Sequence, residues 1–103
     1  MSVLLEFSMF PTDKGESVSE YVGRVIAMIR DSGLDYQLTP MGTIVEAPTL
    51  DEILDLVGKA FACLEPDCGR VYSSLKLDIR KKGGGRLQGK IRSVEDKIGP
   101  VKK

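Results

Sequence analysis

The chain has 103 residues, 42% hydrophobic and 29% charged, a length and composition that support one soluble globular domain spanning residues 1–103. Its 15 basic and 15 acidic side chains cancel to a formal net charge of zero, which argues against a wholesale polyanion-binding surface. There is no His, so Ser-His-Asp and Cys-His catalysis, His metal sites and His-based pH switches are excluded.

Residues 3–10 read as the first strand. Val3, Leu5, Phe7 and Met9 alternate with Leu4, Glu6, Ser8 and Phe10, and the wholly apolar first set is expected to face the helices. This stretch lacks a basic segment and Glu6 interrupts its apolar run, so it is not read as a signal peptide, and the expected compartment is the cytoplasm. Pro11 is expected to end the strand. Ser17 with Glu20 three residues on has capping-box spacing, which predicts a helix to about Ser32 with Val18, Tyr21, Val22, Val25, Ile26 and Ile29 as its buried stripe and Gly33 as its stop. Gly23 within that helix is expected to mark close packing on the sheet.

Tyr36–Pro48 is the stretch around which the chain is organised. Two extended runs, 36–41 and 43–47, flank Gly42 and predict a hairpin turning at Met41-Gly42, with Gly42 supplying a positive φ. Thr49 and Glu52 form a second capping box, and Leu50, Ile53, Leu54, Val57, Ala60, Phe61 and Leu64 make the next apolar face. Pro66-Asp67-Cys68-Gly69 ends it, and residues 70–80 form the fourth strand, with Val71, Ser73, Leu75, Leu77 and Ile79 opposed to Tyr72, Ser74, Lys76, Asp78 and Arg80. A basic, glycine-rich loop to Arg86 leads into a short amphipathic helix over 87–98. Cys63 and Cys68 are expected to be free, reduced and partly buried.

The order β-α-β-β-α-β predicts an α+β, ferredoxin-like sandwich: a four-stranded antiparallel sheet with two helices on one face, plus the C-terminal helix. Right-handed crossovers put the first and third strands in the centre. The other sheet face mixes large apolar groups with Glu6, Glu46, Lys76 and Asp78, which points to partial cover by another subunit or to a concave polar pocket.

The strand-turn-strand MGTIVEAP, then LDEILDLVGKAF and RVYSSLKLDIR, resemble the thiamine-binding, YkoF-like superfamily over nearly the whole chain. Met41-Gly42-Thr43 with Glu46, and the fourth-strand run Leu75-Lys76-Leu77-Asp78-x-Arg80, carry the resemblance most specifically. It implies a ferredoxin-like fold, sheet-against-sheet dimers or tetramers, binding of thiamine or its hydroxymethylpyrimidine fragment, and no catalysis or cofactor.

On that basis Glu46 is the first candidate for ligand recognition, since a carboxylate can bond an aminopyrimidine edge or neighbour a thiazolium cation; the alternative is an ion pair with Lys76. Glu6 is a second acid or the partner of Lys76. Ser8, Thr39, Thr43 and Ser74 offer hydroxyls, and Met41, with Phe10, Ile44 and Tyr72, offers ring or interface contacts. The competing functional classes are a ligand-free structural or regulatory subunit, an RNA-binding ferredoxin-like module, which this chain's lack of an RNP motif disfavours, and a carboxylate enzyme with magnesium on Glu6, Glu46 and Asp78.

Overall fold

Val3, Leu5, Phe7 and Met9 form the floor of the core. In the computed structural model, which describes every residue from Met1 to Lys103, they are the buried alternate positions of β1 (Ser2–Pro11). Pro11 does not end this strand: it is buried, and pairs with Val71 as the last rung.

The first helix, α1 (Ser19–Asp31), begins two residues after the expected cap. Val18 occupies the N-cap without a side-chain cap bond, and its carbonyl accepts from the N–H groups of Tyr21 and Val22. Ser17 is exposed while Val18 is half-buried, so apolar burial sets this boundary. Val25 and Ile29 are buried and Tyr21, Ile26 and Met28 pack beside them. Gly33, at φ +81°, ends the turn as expected. Gly23 differs from the expectation: it is exposed, and a Cβ there would meet nothing within 4 Å.

The hairpin joins β2 (Asp35–Thr39) to β3 (Gly42–Ala47) through Pro40-Met41, one residue earlier than predicted. Thr39 closes it, its Oγ1 accepting from the N–H groups of Met41 (3.2 Å) and Gly42 (3.1 Å) and donating to the Gly42 carbonyl (2.8 Å). Gly42 starts β3 and is not at positive φ. It is needed for space instead, because a Cβ there would lie 3.1 Å from the Phe7 carbonyl oxygen.

The second helix, α2 (Leu50–Ala62), is capped as predicted. Thr49 Oγ1 accepts from the Glu52 N–H at 3.2 Å and donates to the Glu52 carboxylate at 2.9 Å. Its buried face is Ile53, Leu56 and Ala60, continued by Leu64, whereas Leu54 and Phe61 are exposed. The expected stripe is thus rotated, because α2 lies over β1 and β3.

The last strand, β4 (Val71–Arg80), pairs with β1 through ten consecutive rungs. The sheet order is β2-β3-β1-β4, antiparallel throughout, with β1 and β3 central as expected. On the covered face α2 sits over β1 and β3 and α1 over β1, and both stop short of β4. Leu75, Leu77 and Ile79 therefore point to the helix side yet stay 40–49% exposed.

The third helix, α3 (Arg86–Ile98), packs against β3, β1 and β2. Its Leu87 and Ile91 sit over Leu4, Gln37 and Ile44, on the face opposite α1 and α2. The chain thus covers part of its own second sheet face. No helix is long and apolar enough to cross a membrane.

Candidate functional site

Strand register brings the open-face candidates together. Glu6 sits opposite Lys76 on β4 and Ile44 on β3, Ser8 opposite Ser74, and Leu4 between Glu46 and Asp78. The Lys76 Nζ lies 3.6 Å from a Glu6 oxygen, and both side chains are largely exposed. With Leu4, Ile44, Leu87 and Ile91 they line a cleft of ≈ 560 Å³ between the sheet and α3.

Glu46 lies on the same face, but it is buried at the N-terminal end of α3 and does not pair with Lys76. One carboxylate oxygen accepts from the Ser2 hydroxyl at 2.6 Å and the other from the Leu87 N–H at 3.3 Å. Burial pushes its carboxyl up, but the Ser2 hydroxyl, the N–H groups of Arg86 and Leu87 and the Arg86 charge outweigh it and hold the group below its ordinary value.

Arg86, 5% exposed, completes this latch. Its guanidinium donates to the Ser2 hydroxyl (3.1 Å), the Ser2 carbonyl (2.8 Å) and the Asp78 carbonyl (2.6 Å), and pairs with the Asp78 carboxylate at 2.8 Å. Lys90, one turn on, reaches the same carboxylate at 3.3 Å, and the bonds from Arg86 and Lys90 keep Asp78 ionised below its usual range. Arg86, expected at the end of the basic, glycine-rich loop, instead opens α3. Its signal was position: a cation in the first turn opposes the helix dipole and needs a carboxylate nearby.

The remaining candidates separate. Thr39 is committed to its turn, and Met41 stands at the tip, 90% exposed. Thr43 is on the other side of the sheet, in line with Val45 and Ala47, and is 5% exposed. With Ser8, these three border a second cavity, of ≈ 410 Å³, between α1, the hairpin and the end of β1. No group of three or more His, Cys, Asp or Glu side chains converges as a metal site, so Glu6, Glu46 and Asp78 do not come together. Cys63 and Cys68 are free and half-buried. Burial, together with the neighbouring Asp67 carboxylate, pushes the Cys68 thiol up, away from a reactive thiolate.

Residues 5–95 match the family described as Thiamine-binding protein. The chain belongs to that family. It is 37% identical over 92 residues to a UPF0045 protein of Methanocaldococcus jannaschii, covering 89% of this chain and 91% of that one. The crystal structure of that hypothetical protein superposes with a TM-score of 0.81 over 92% of this chain and 97% of its own. A domain of unknown function from Bacillus cereus, 30% identical, gives 0.78 over 93% and 92%. A Thermotoga maritima protein, named for thiamine biosynthesis or salvage, gives 0.79 over 91% and 99%; at 24% identity this likeness speaks for the fold alone. The expected family and the ferredoxin-like α+β fold are both borne out.

Proposed function

We propose that this member of the thiamine-binding family binds thiamine, or a heterocycle built like its pyrimidine half, without transforming it, as a homo-oligomer in the cytoplasm. Family membership across residues 5–95 carries the reading. The geometry supports it, because the subunit offers three cavities in the range of small-molecule sites, roughly 300–1,000 Å³: the two above and one of ≈ 360 Å³ beside Glu46 and Leu87. The acids on the open face are an exposed ion pair, Glu6 with Lys76, and a buried latch in which Glu46 accepts from the Ser2 hydroxyl and the Leu87 N–H. Self-association supplies cover for the apolar flank of β4 and for the part of the open face beyond α3.

Titration calorimetry with thiamine, its phosphates, the hydroxymethylpyrimidine fragment and unrelated heterocycles tests this directly. Saturable binding of thiamine or its fragment, with the compound recovered unchanged, is the expected result. In a melting experiment a ligand at 100 times its dissociation constant adds about 2.7 kcal/mol. Absence of heat and of any melting shift across the panel overturns the proposal.

A further inference from the structure

The cavity at the hairpin end has three properties that together describe a ligand. Its walls are apolar: Val22, Val25 and Ile26 of α1 on one side, Leu38 and Met41 of the hairpin on the other. No charged side chain lines it. An ionised group placed inside would lose its hydration with nothing to replace it, so the cavity suits a neutral body.

The second property is an unspent hydroxyl. Thr43 is more than nine-tenths buried and lines the cavity, and its Oγ1 makes no hydrogen bond within the chain. No buried side-chain polar atom sealed from solvent lacks a partner, so this oxygen keeps some access to solvent, and the cavity is the opening its residue lines. Its neighbours on the same side of β3, Val45 and Ala47, are apolar, and a Val at position 43 would fill the same volume. The hydroxyl is the odd group in an otherwise apolar row, on a residue that lines the space a ligand would occupy.

The third property is a short length of unpaired strand edge. The β1–β3 ladder stops at Phe7–Thr43, while β1 runs on to Pro11 against β4 alone. Residues 8–10 therefore border the cavity on a side that β3 does not pair; the Ser8 carbonyl is taken by the Ser73 hydroxyl at 2.9 Å, and strand alternation turns the N–H and C=O of Met9 to the unpaired side. A strand edge presents N–H and C=O groups in one plane, which matches the donor and acceptor rim of a flat heteroaromatic ring. Gly42 holds the hairpin close to Phe7 at the point where pairing ends, so the slot beyond it is set by backbone packing.

Resting on the thiamine-type reading above, we propose that the neutral aminopyrimidine ring of the ligand seats in this cavity. Thr43 and the free edge of β1 bond its rim, and Met9 and Met41 contact its faces. The cationic thiazolium end stays at the mouth, in water. The ring is thus placed between α1 and the hairpin, on the opposite side of the sheet from Glu46.

Methyl-resolved NMR of the wild-type protein locates the ligand without any substitution. Added hydroxymethylpyrimidine fragment should shift the methyl signals of Val22, Ile26 and Met41, while a thiazolium fragment alone should leave them in place. Thr43→Val should weaken the fragment's affinity about five- to tenfold, as expected for one lost hydrogen bond. Its melting temperature should hold, because no internal bond is lost. Binding that shifts Ile44, Leu87 and Ile91 instead, or a Thr43→Val protein with full affinity, overturns this placement and leaves the thiamine-type reading standing. Failure of every probe to bind wild type overturns that reading itself.

Discussion

Glu6 and Glu46 share a sheet face and a charge, and their surroundings give them different work. Glu6 is an exposed partner of Lys76, an ion pair worth little in water, whereas Glu46 is buried with both oxygens engaged. Alternation along β1 and β3 was enough to assign both to that face. It could not show that Glu46 lies beneath a helix that begins 40 residues further on, at Arg86, since no local pattern encodes a contact with Ser2 and Leu87. Glycines show the same limit. Gly42 was recognised as a turn residue for its conformational freedom, yet its neighbour Phe7 makes it a matter of space. Gly23 was read as a packing residue and meets nothing. Gly23→Ala should therefore stabilise the fold by about 0.5–1 kcal/mol through helix propensity. Denaturant titration would reveal this as a raised midpoint at constant slope; a lowered midpoint would mean that α1 packs more tightly at this position than the open space indicates.

At the scale of elements, hydrophobic period gave every strand and helix, with ends displaced by a residue or two. Where it fell short was in placing them: α2 is rotated towards Leu56, and α3 docks on the face opposite its fellows. The polar latch of Ser2, Glu46, Asp78 and Arg86 explains how a helix with half-exposed Val94 and largely exposed Ile98 stays in place. Glu46→Gln removes the negative charge beside a buried guanidinium and should cost about 1–3 kcal/mol. It should leave thiamine affinity unchanged if the ring sits at the hairpin end. The pH dependence follows from the same group. A carboxyl held below its ordinary value in the folded chain contributes stability that is fully present above the ordinary carboxylate range, and that is lost as pH falls through the folded value. Urea melts at about pH 7 and about pH 3.5 should thus show a smaller acid loss in Glu46→Gln than in wild type. Equal losses would mean that the latch does not hold α3.

Over the whole molecule, zero net charge conceals a separation. Residues 80–103 carry nine basic and two acidic side chains, and residues 1–79 carry six basic and thirteen acidic. Two copies that set the basic segment of one against acidic surface of the other would attract, an effect that salt screens over about 10 Å at 0.1 M. The stronger inducement is apolar. The helix layer leaves Leu75, Leu77 and Ile79 half-exposed along β4, a ten-residue edge strand with no partner on its outer side. Burial of that row is not screened, so light scattering at micromolar concentration should give at least a dimer that loosens with salt but survives it. Leu77→Glu, at a position 42% exposed, places a charge in the middle of the row without opening the core beneath. The variant should run as a folded monomer, with far-ultraviolet circular dichroism unchanged. A wild-type monomer would show that β4 is simply a solvated edge. A Leu77→Glu protein of undiminished mass would move the contact to the opposite face, where Phe10 and Tyr72 pack ring against ring at 5.9 Å.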